Sequence, residues 1–366
     1  FKWYLLFQAL ATLFRYRMVI ILQGYSTTNH IFVYGYKLKF WSAEMTVSSL
    51  YPDISNRKIK TNGIELNIAE QGSGPLILLI HGFPESWYSW RHQFAPLSAA
   101  GYKVVAPDMR GYGDSDKPFD VSAYNQIEIV NDIRGLVKSL DYGSAIVIGH
   151  DWGAPSAWNC ALWHPGEFSA VGALSVPFIA RSESPPLEKM RKLFAGKFFY
   201  QLYFQEPGVA EAEFETDIET NLKKFFHTSS GGGDFGQLHT KPADSDLLSD
   251  IYEPKKLGAW LSVSDLHFYT KEFEKNGFRG PLNYYRNQNL TWEKSENQPL
   301  KVLQPALFLA GALDGVINMA RPALDSMPEF VPDLRVNQLI PGIGHWTQQE
   351  APDAVNEVLL DWLNNL

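Results

Sequence analysis

Short apolar runs, each followed by polar or turn-forming residues, constrain the fold of this chain more than any other feature of its sequence. A strand that is apolar at every position is typical of a parallel sheet buried on both faces, because an exposed face would carry polar side chains. The runs are Leu76–Ile80, Val104–Ala106, Ala145–Ile148 and Val171–Val176, followed late in the chain by the strand-like segments Ala306–Ala310 and Val336–Ile340.

Segments with other periodicities surround these runs. Residues 124–140 place apolar side chains on one face at helical spacing, and a final helix is predicted at about 353–365. Asn62-Gly63 lies inside the alternating segment 58–70 and predicts a β-hairpin. The alternation of strands and helices predicts an α/β fold with a doubly wound, mostly parallel sheet.

Residues 178–298 break this alternation. They are rich in Pro, Glu, Lys and aromatic residues, and their apolar positions fit short helices. We expect a helical lid over the carboxyl ends of the strands, where open α/β sheets bind ligands. The glycine run within Ser229–Gly233 lacks the lysine and the strand–helix context of a phosphate loop, and it is interpreted as a mobile surface loop. The lid would divide the core into residues 50–177 and 299–366.

Residues 1–49 differ from the rest of the chain. Residues 3–14 are apolar and uncharged, but Arg15 and Arg17 interrupt before the next apolar stretch. A membrane-spanning helix needs about 20 apolar residues. Three hypotheses stay open: a leader, a membrane-associating anchor within residues 1–44, and a secretory signal. We expect a cytoplasmic protein, with membrane association through residues 1–44 as the alternative.

Composition excludes several functions. A net charge of −8 is unfavourable for non-specific nucleic-acid binding, which depends on Lys and Arg at phosphates. A single cysteine, Cys160, can form neither an internal disulfide nor a zinc cluster. The sequence has no nicotinamide fingerprint and no metal-ligand spacing among its nine histidines. We therefore expect neither a cofactor nor a metal, and the sequence leaves the oligomeric state open.

The strongest chemical motif is Gly149-His150-Asp151-Trp152-Gly153, between an apolar run and a helical segment. Its pattern is that of a nucleophile elbow with Asp in the place of Ser. Glycines relieve crowding at a sharp strand-to-helix turn, and the central carboxylate can attack an electrophilic carbon to leave an ester. The alternative is that Asp151 is only a helix N-cap.

A second motif, His81-Gly82-Phe83-Pro84, follows the first apolar run. The backbone N–H groups of Phe83 and Trp152 are candidates for an oxyanion hole. The ring of His81 is expected to connect loops and to take no part in the chemistry.

A histidine and an acid complete the candidate site. His345 lies between glycines and Trp346 after the last predicted strand, where a general base would lie. Asp314 follows the strand before it and could fix the imidazole tautomer. Asp325 and Asp333 are rivals to Asp314, but neither follows a strand end. The order nucleophile, acid, histidine agrees with this arrangement.

Several stretches together resemble a known family. They are HGFPESWYSWRHQ (81–93), DMRGYGDSDKP (108–118), GHDWGA (149–154), YQLYFQEPGVAEAE (200–213), GFRGPLNYYRN (277–287) and GHWTQ (344–348). From about residue 50 to 366 the chain resembles the epoxide hydrolases of the α/β-hydrolase superfamily, most closely the soluble epoxide hydrolases of animals and plants. The resemblance implies an eight-stranded, mostly parallel sheet with the lid inserted after the sixth strand.

The resemblance also implies an activity, the hydrolysis of small apolar epoxides by water to vicinal diols, without a cofactor. It assigns Asp151 as nucleophile, His345 as base and Asp314 as the acid that orients the base. It further assigns Tyr200 and Tyr285 as hydrogen-bond donors to the epoxide oxygen, with the adjacent Tyr284 as the alternative to Tyr285.

Other functions fit parts of this pattern. A haloalkane dehalogenase would also carry Asp followed by Trp, but it needs donors for a halide, and Phe83 stands where an Asn donor is common. An esterase is disfavoured because Asp replaces Ser. A binding protein without catalysis would have no need of a base at His345.

Overall fold

The computed structural model describes residues 51–366 and, of residues 1–50, the backbone of 30–33 and 36–39. The chain divides into two units, residues 1–50 and 51–366. In the first unit, strands β1 (His30–Val33) and β2 (Tyr36–Lys39) pair in an antiparallel ladder. The predicted leader or anchor otherwise lies outside the described residues. In the part of the chain that is described, no helix is long and apolar enough to cross a membrane.

An eight-stranded sheet forms the centre of the second unit. Its strands are β3 (Ser55–Thr61), β4 (Ile64–Gln71), β5 (Leu76–Ile80), β6 (Lys103–Pro107), β7 (Ala145–His150), β8 (Phe168–Leu174), β9 (Ala306–Gly311) and β10 (Leu334–Ile340). Their spatial order is β10-β9-β8-β7-β5-β6-β4-β3. The β3–β4 and β4–β6 pairs are antiparallel and the other neighbours are parallel, which confirms the predicted fold class.

All six predicted strands are found, and five of them differ from the predicted bounds by one to three residues at one or both ends. β5 and β7 are buried at every position, as their apolar runs require. β8 ends at Leu174, two residues before the predicted end, because Ser175 turns the chain with φ +69°. The hairpin at Asn62-Gly63 is also confirmed, and both turn residues have the positive φ that this tight turn needs.

Helices pack against the sheet, and its central strands β5 and β7 are buried at every position, as expected for a parallel sheet. Before the predicted lid, α2 starts at Gln126 because the Asn125 side chain accepts the N–H groups of Ile127 and Glu128 as an N-cap. The helices outside the predicted lid are α1 (Phe94–Ala99), α2 (Gln126–Ser139), α3 (Gly153–Trp163), α11 (Gly315–Met319), α12 (Arg321–Phe330), α13 (Thr347–Glu350) and α14 (Pro352–Asn364), with 3₁₀ helices at Trp87–Trp90 and Val121–Tyr124.

The insertion follows β8, the sixth strand of this sheet. We call residues 178–298 the lid segment, and its limits remain a prediction. The structure describes the whole stretch between β8 and β9, and none of it joins the sheet. It contains α4 (Pro186–Leu193), α5 (Tyr200–Tyr203), α6 (Val209–Glu215), α7 (Ile218–Ser229), a 3₁₀ helix (Phe235–Leu238), α8 (Val263–Asn276), α9 (Arg279–Arg286) and α10 (Gln288–Lys294).

Aromatic side chains connect the lid segment to the loop after β5. The ring of Phe83 lies with its centroid 5.5–6.4 Å from the rings of Phe204, Phe214, Phe225, Phe278 and Tyr285. Polar contacts add to them, since the hydroxyl of Tyr88 donates to Asp265 on α8 at 2.8 Å. The lid segment therefore packs directly over the loop that carries Phe83.

The order of the strands determines where a crevice opens. From β5 the chain continues to β6 on one side, and it later returns to β7 on the other side of β5. Loops leaving the carboxyl ends of β5 and β7 diverge at such a switch point and leave room for a ligand. The loops after β5, β7, β9 and β10 carry Phe83, Asp151, Asp314 and His345, so the topology directs all four to the same edge.

Candidate active site

Asp151 lies in a sharp turn between β7 and α3. Its φ is +49°, a left-handed conformation that is uncommon for any residue other than glycine. The flanking glycines permit the turn, since a Cβ at Gly149 would collide with the carbonyl of Gly153, and a Cβ at Gly153 would collide with the carbonyl of Ile80 on β5. Asp151 does not cap α3, whose N-cap position is Trp152. The turn instead presents the Asp151 carboxylate at the carboxyl end of the sheet.

The three polar residues of the predicted triad lie in contact. His345 Nε2 is 3.4 Å from Asp151 Oδ2, and His345 Nδ1 donates to Asp314 Oδ2 at 3.0 Å. The second oxygen of Asp314 accepts the N–H of Val316 at 2.9 Å, which fixes the carboxylate. Asp314 therefore holds Nδ1, and Nε2 is the nitrogen that faces Asp151.

The two rival acids lie elsewhere. Asp325 pairs with Arg321 and Asp333 pairs with Arg335, both on the surface. Asp314, in contrast, is fully buried beside His345. Of the three acids, only Asp314 contacts the imidazole.

The Phe83 loop supplies a hydrogen bond to the Asp151 carboxylate. The N–H of Phe83 donates to Asp151 Oδ1 at 2.7 Å, so one carboxylate oxygen is held by the backbone and the other faces His345. Trp152, the second predicted donor residue, directly follows Asp151, and its ring packs edge-on against Tyr285 with centroids 5.0 Å apart. His81 connects loops as predicted, since its Nε2 accepts the N–H of Met109 at 2.9 Å.

The carboxylates of Asp151 and Asp314 and the imidazole of His345 shift one another's pKa values. Burial alone would raise the pKa of Asp151, but the hydrogen bond and charge of His345 and the N–H of Phe83 lower it below its usual value. Burial would lower the pKa of His345, but the carboxylates of Asp314 and Asp151 raise it well above its usual value. The two carboxylates therefore favour the protonated form of the imidazole at rest.

Two tyrosines of the lid segment lie close to each other beside the Phe83 loop. The ring centroids of Tyr200 on α5 and Tyr285 on α9 lie 6.1 Å apart, and the Tyr285 ring lies 5.5 Å from that of Phe83. Burial raises the pKa of both phenols, and the negative charge of Asp151 raises them further. Both side chains therefore stay neutral and keep a proton to donate.

Tyr284, the alternative to Tyr285, is occupied elsewhere. Its hydroxyl is buried and donates to the carbonyl oxygen of Arg110 at 2.9 Å. Tyr285 instead packs against both Phe83 and Trp152. These contacts therefore favour Tyr285 over Tyr284 as the second hydrogen-bond donor to the epoxide oxygen.

A buried ion pair lies behind the site, and sequence reasoning missed it. His150 Nδ1 donates to Glu85 Oε2 at 2.7 Å, and His150 Nε2 donates to the carbonyl oxygen of His345 at 2.7 Å. Both ring nitrogens therefore lie at hydrogen-bond distance from an oxygen atom. Burial would raise the pKa of Glu85, but the charge of His150 lowers it overall. The sequence does contain one signal for this pair, a histidine at the end of a fully apolar strand, because a buried imidazole needs hydrogen-bond partners.

The glycine-containing segment Ser229–Gly233 was predicted to be a surface loop, and this is wrong for its first part. Ser229 and Ser230 are buried. The carbonyl oxygen of Ser229 accepts the N–H of His345 at 2.9 Å. The segment therefore packs against the His345 loop, and the small size of Gly231 is what allows the close approach.

Comparisons with known proteins agree with this geometry. The family model for the alpha/beta hydrolase fold matches residues 75–352. Epoxide hydrolase A of Mycobacterium tuberculosis is 39% identical over 317 residues, which cover 85% of this chain and 98% of that protein. Bifunctional epoxide hydrolase 2 of Rattus norvegicus is 39% identical over 331 residues, which cover 89% of this chain but 58% of the rat protein.

A solved structure matches both in sequence and in fold. The epoxide hydrolase from an endophytic Streptomyces superposes with a TM-score of 0.83 at 43% identity, covering 85% of this chain and 96% of that chain. Identity at this level over nearly the whole length of a relative goes beyond a shared fold. The chain therefore belongs to the epoxide hydrolases of the α/β-hydrolase fold family.

Proposed function

We propose that this protein hydrolyses apolar epoxides to vicinal diols through a covalent ester on Asp151. The observation that carries the proposal is the carboxylate of Asp151, which the turn at φ +49° presents within 3.4 Å of His345 Nε2. A binding site alone does not require a strained, ionised carboxylate beside a base.

Ring opening is the first step. Phe83 holds Asp151 Oδ1, so that Oδ2, the oxygen that faces His345, attacks an epoxide carbon. As the carbon–oxygen bond of the ring breaks, the departing oxygen takes a proton from Tyr200 or Tyr285. After the ester has formed, the phenolate regains a proton from protonated His345. The product is an ester of Asp151, with Oδ1 as its carbonyl oxygen and a neutral imidazole beside it.

Ester formation prepares the base for the second step. While Asp151 is charged, it helps Asp314 to raise the pKa of His345. Once Asp151 is esterified, one of these two negative charges disappears, so the pKa of His345 falls and the ring can accept a proton from water. The hydroxide formed attacks the ester carbonyl. When the tetrahedral intermediate collapses, the diol leaves with the hydroxyl proton, and Asp151 is again a carboxylate beside protonated His345.

Backbone donors stabilise the oxyanion of that intermediate. The N–H of Phe83 already donates to Oδ1 in the resting state, and Trp152 supplies the predicted second N–H. By analogy with acyl transfer, each such donor stabilises the transition state by about 3 kcal/mol.

The aromatic lid segment favours an epoxide over an alkyl halide as the substrate. The departing oxygen of an epoxide needs a proton, which a neutral phenol can supply, whereas a halide leaves as a stable anion. Tyr200 and Tyr285 are both buried and protonated near Asp151. Their aromatic surroundings also favour an apolar substrate.

The isotope content of Asp151 tests the covalent route directly. After one turnover in water enriched in the heavy oxygen isotope, we expect the label in the carboxylate of Asp151, because water attacks the ester carbonyl. The digested peptide that contains Asp151 is analysed by mass spectrometry, and the peptide that contains Asp314 serves as the internal control. A label that appears in the diol and not in Asp151 would show direct attack of water on the epoxide.

Replacing both lid phenols should block ring opening. In the double variant Tyr200→Phe with Tyr285→Phe, we expect the rate of ester formation to fall by at least about 10²- to 10³-fold, the effect of losing one good oxyanion donor. The fold should persist, because Phe keeps the ring, and the lost hydrogen bonds of Tyr200 with Gln201 and of Tyr285 with Trp152 contribute only about 1 kcal/mol each. Tyr252→Phe, at an exposed position, is the matched control. Normal turnover by the double variant would contradict the tyrosine assignment.

A further inference from the structure

Glu350, the last residue of α13, binds the backbone on both sides of the base. Its Oε2 accepts the N–H of Gly344 at 3.1 Å, and its Oε1 accepts the N–H of Trp346 at 3.1 Å. His345 lies between these two residues in sequence. One carboxylate therefore fixes the peptide groups that precede and follow the base.

The same carboxylate reaches the lid segment. Oε2 of Glu350 also accepts the N–H of Gly231 at 2.9 Å. The N–H of His345 donates at 2.9 Å to the carbonyl oxygen of Ser229, the last residue of α7. Glu350 thus lies at a junction between the lid segment and the His345 loop, and it accepts hydrogen bonds from the backbone of both.

Close packing makes this junction rigid. A Cβ at Gly344 would collide with the backbone of Ser230 and Gly231, so the two loops touch through their main chains. The neighbouring Trp346 is fully buried, and its indole N–H donates to the carbonyl oxygen of Phe226 on α7 at 2.8 Å. A small displacement of the lid loop would therefore be transmitted to His345.

We propose that Glu350 is a positioning residue for the hydrolytic step, because it holds the His345 loop against the lid loop Ser229–Gly231 and so sets the place of the imidazole. The proposal rests on the proposed function of His345 as base. Glu350 itself touches neither Asp151 nor the lid tyrosines among the described contacts, and it acts through the backbone of Gly344 and Trp346.

This placement predicts a selective kinetic effect. Ring opening depends on Asp151 and the phenols, whereas ester hydrolysis depends on where His345 holds the attacking water. A displacement of about 1 Å can slow a step on the order of 10²-fold. Loss of the Glu350 contacts should therefore slow the decay of the ester while its formation continues at the normal rate.

The test is a single-turnover measurement on Glu350→Gln with a small aryl epoxide. In this variant an amide NH₂ replaces one acceptor oxygen, so that a donor faces one of the backbone N–H groups. Intact-protein mass spectrometry after rapid quenching follows the formation and decay of the ester. We expect decay on the order of 10- to 100-fold slower and unchanged formation. Glu357→Gln, the same change at an exposed position of α14, is the matched control.

Gly231→Ala provides an independent arm if Glu350→Gln does not fold. Its Cβ would press against Gly342, Gly344 and the Glu350 carboxylate from the lid side, and the same selective slowing is expected. The rate of ester decay is measured as a function of pH. A displaced imidazole lowers the maximum rate that is reached at high pH, whereas the loss of a negative charge near His345 would only shift the pH at which the rate begins to rise. Equal slowing of both steps, no slowing, or a pure shift of the limb would overturn the proposal. Failure of the wild-type protein to form the ester would instead refute the proposed function.

Discussion

Asp151→Asn abolishes turnover: we expect kcat for diol formation to fall by at least about 10⁴-fold, within the range seen when a catalytic nucleophile is removed. An amide oxygen is a far weaker nucleophile than a carboxylate, so no ester forms. His345 does not replace it, because its Nε2 faces the side chain at position 151 and so directs water at that side chain and not at the epoxide carbon. Diol formation is followed with an aryl epoxide, and the protein is checked by intact mass spectrometry.

Asn is the appropriate replacement at this position. Asn tolerates the left-handed conformation better than other non-glycine residues do, so the turn at φ +49° should survive, whereas Ala would add backbone strain. The amide oxygen can still accept the N–H of Phe83. Circular dichroism and thermal unfolding should therefore match those of the wild type.

The chain offers a matched control for this substitution. Asp141 also has a positive φ, +62°, but it is exposed at the end of α2. Asp141→Asn makes the same chemical change in the same backbone conformation and should leave kcat unaltered. Full activity of Asp151→Asn, with the amide shown to be intact by peptide sequencing, would rule out the covalent route. Activity that grows with storage would indicate deamidation back to Asp151.

The sheet could be predicted from the sequence because burial on both faces leaves a one-dimensional pattern. β5 and β7 begin at Leu76 and Ala145, where their apolar runs begin. The ends of the strands could not be predicted in the same way, because β8 stops at Leu174, where Ser175 turns the backbone, and a hydrophobic pattern carries no information about such a turn. The chemistry at Asp151, Asp314 and His345 could be proposed because the ends of parallel strands meet at one edge.

Contacts between distant segments could not be predicted in this way. Glu85 and His150 are 65 positions apart, and each alone resembles an ordinary polar residue beside a turn. Gly231 and Glu350 are 119 positions apart, and the glycine run was interpreted as a surface loop because nothing in it indicates a partner. The spacing of Tyr200 and Tyr285 is equally uninformative, and only the family resemblance singled them out before the structure brought their rings to 6.1 Å.

The second large effect is expected from His345→Gln, which should stop the reaction at the ester. Asp151 keeps the N–H of Phe83 as a partner, and the positive charge of His150 also lowers the pKa of its carboxyl, so it stays ionised and still opens the ring. Among the residues that the structure describes, no other side chain contacts both Asp151 and Asp314 and could accept a proton from water. We expect kcat to fall by about 10²- to 10⁴-fold, the contribution of a general base, while one equivalent of ester accumulates.

The mass of the trapped species distinguishes the remaining alternatives. An epoxide adds its whole mass to the protein, because the ring oxygen stays on the attached carbon chain, whereas an alkyl halide would add its mass without the halogen. A binding protein would add nothing covalent. His267→Gln, at an exposed position of α8, is the control and should show neither accumulation nor a lower kcat. If His345→Gln turned over normally without accumulating an adduct, His345 could not be the base, and the water would have to be activated by another group.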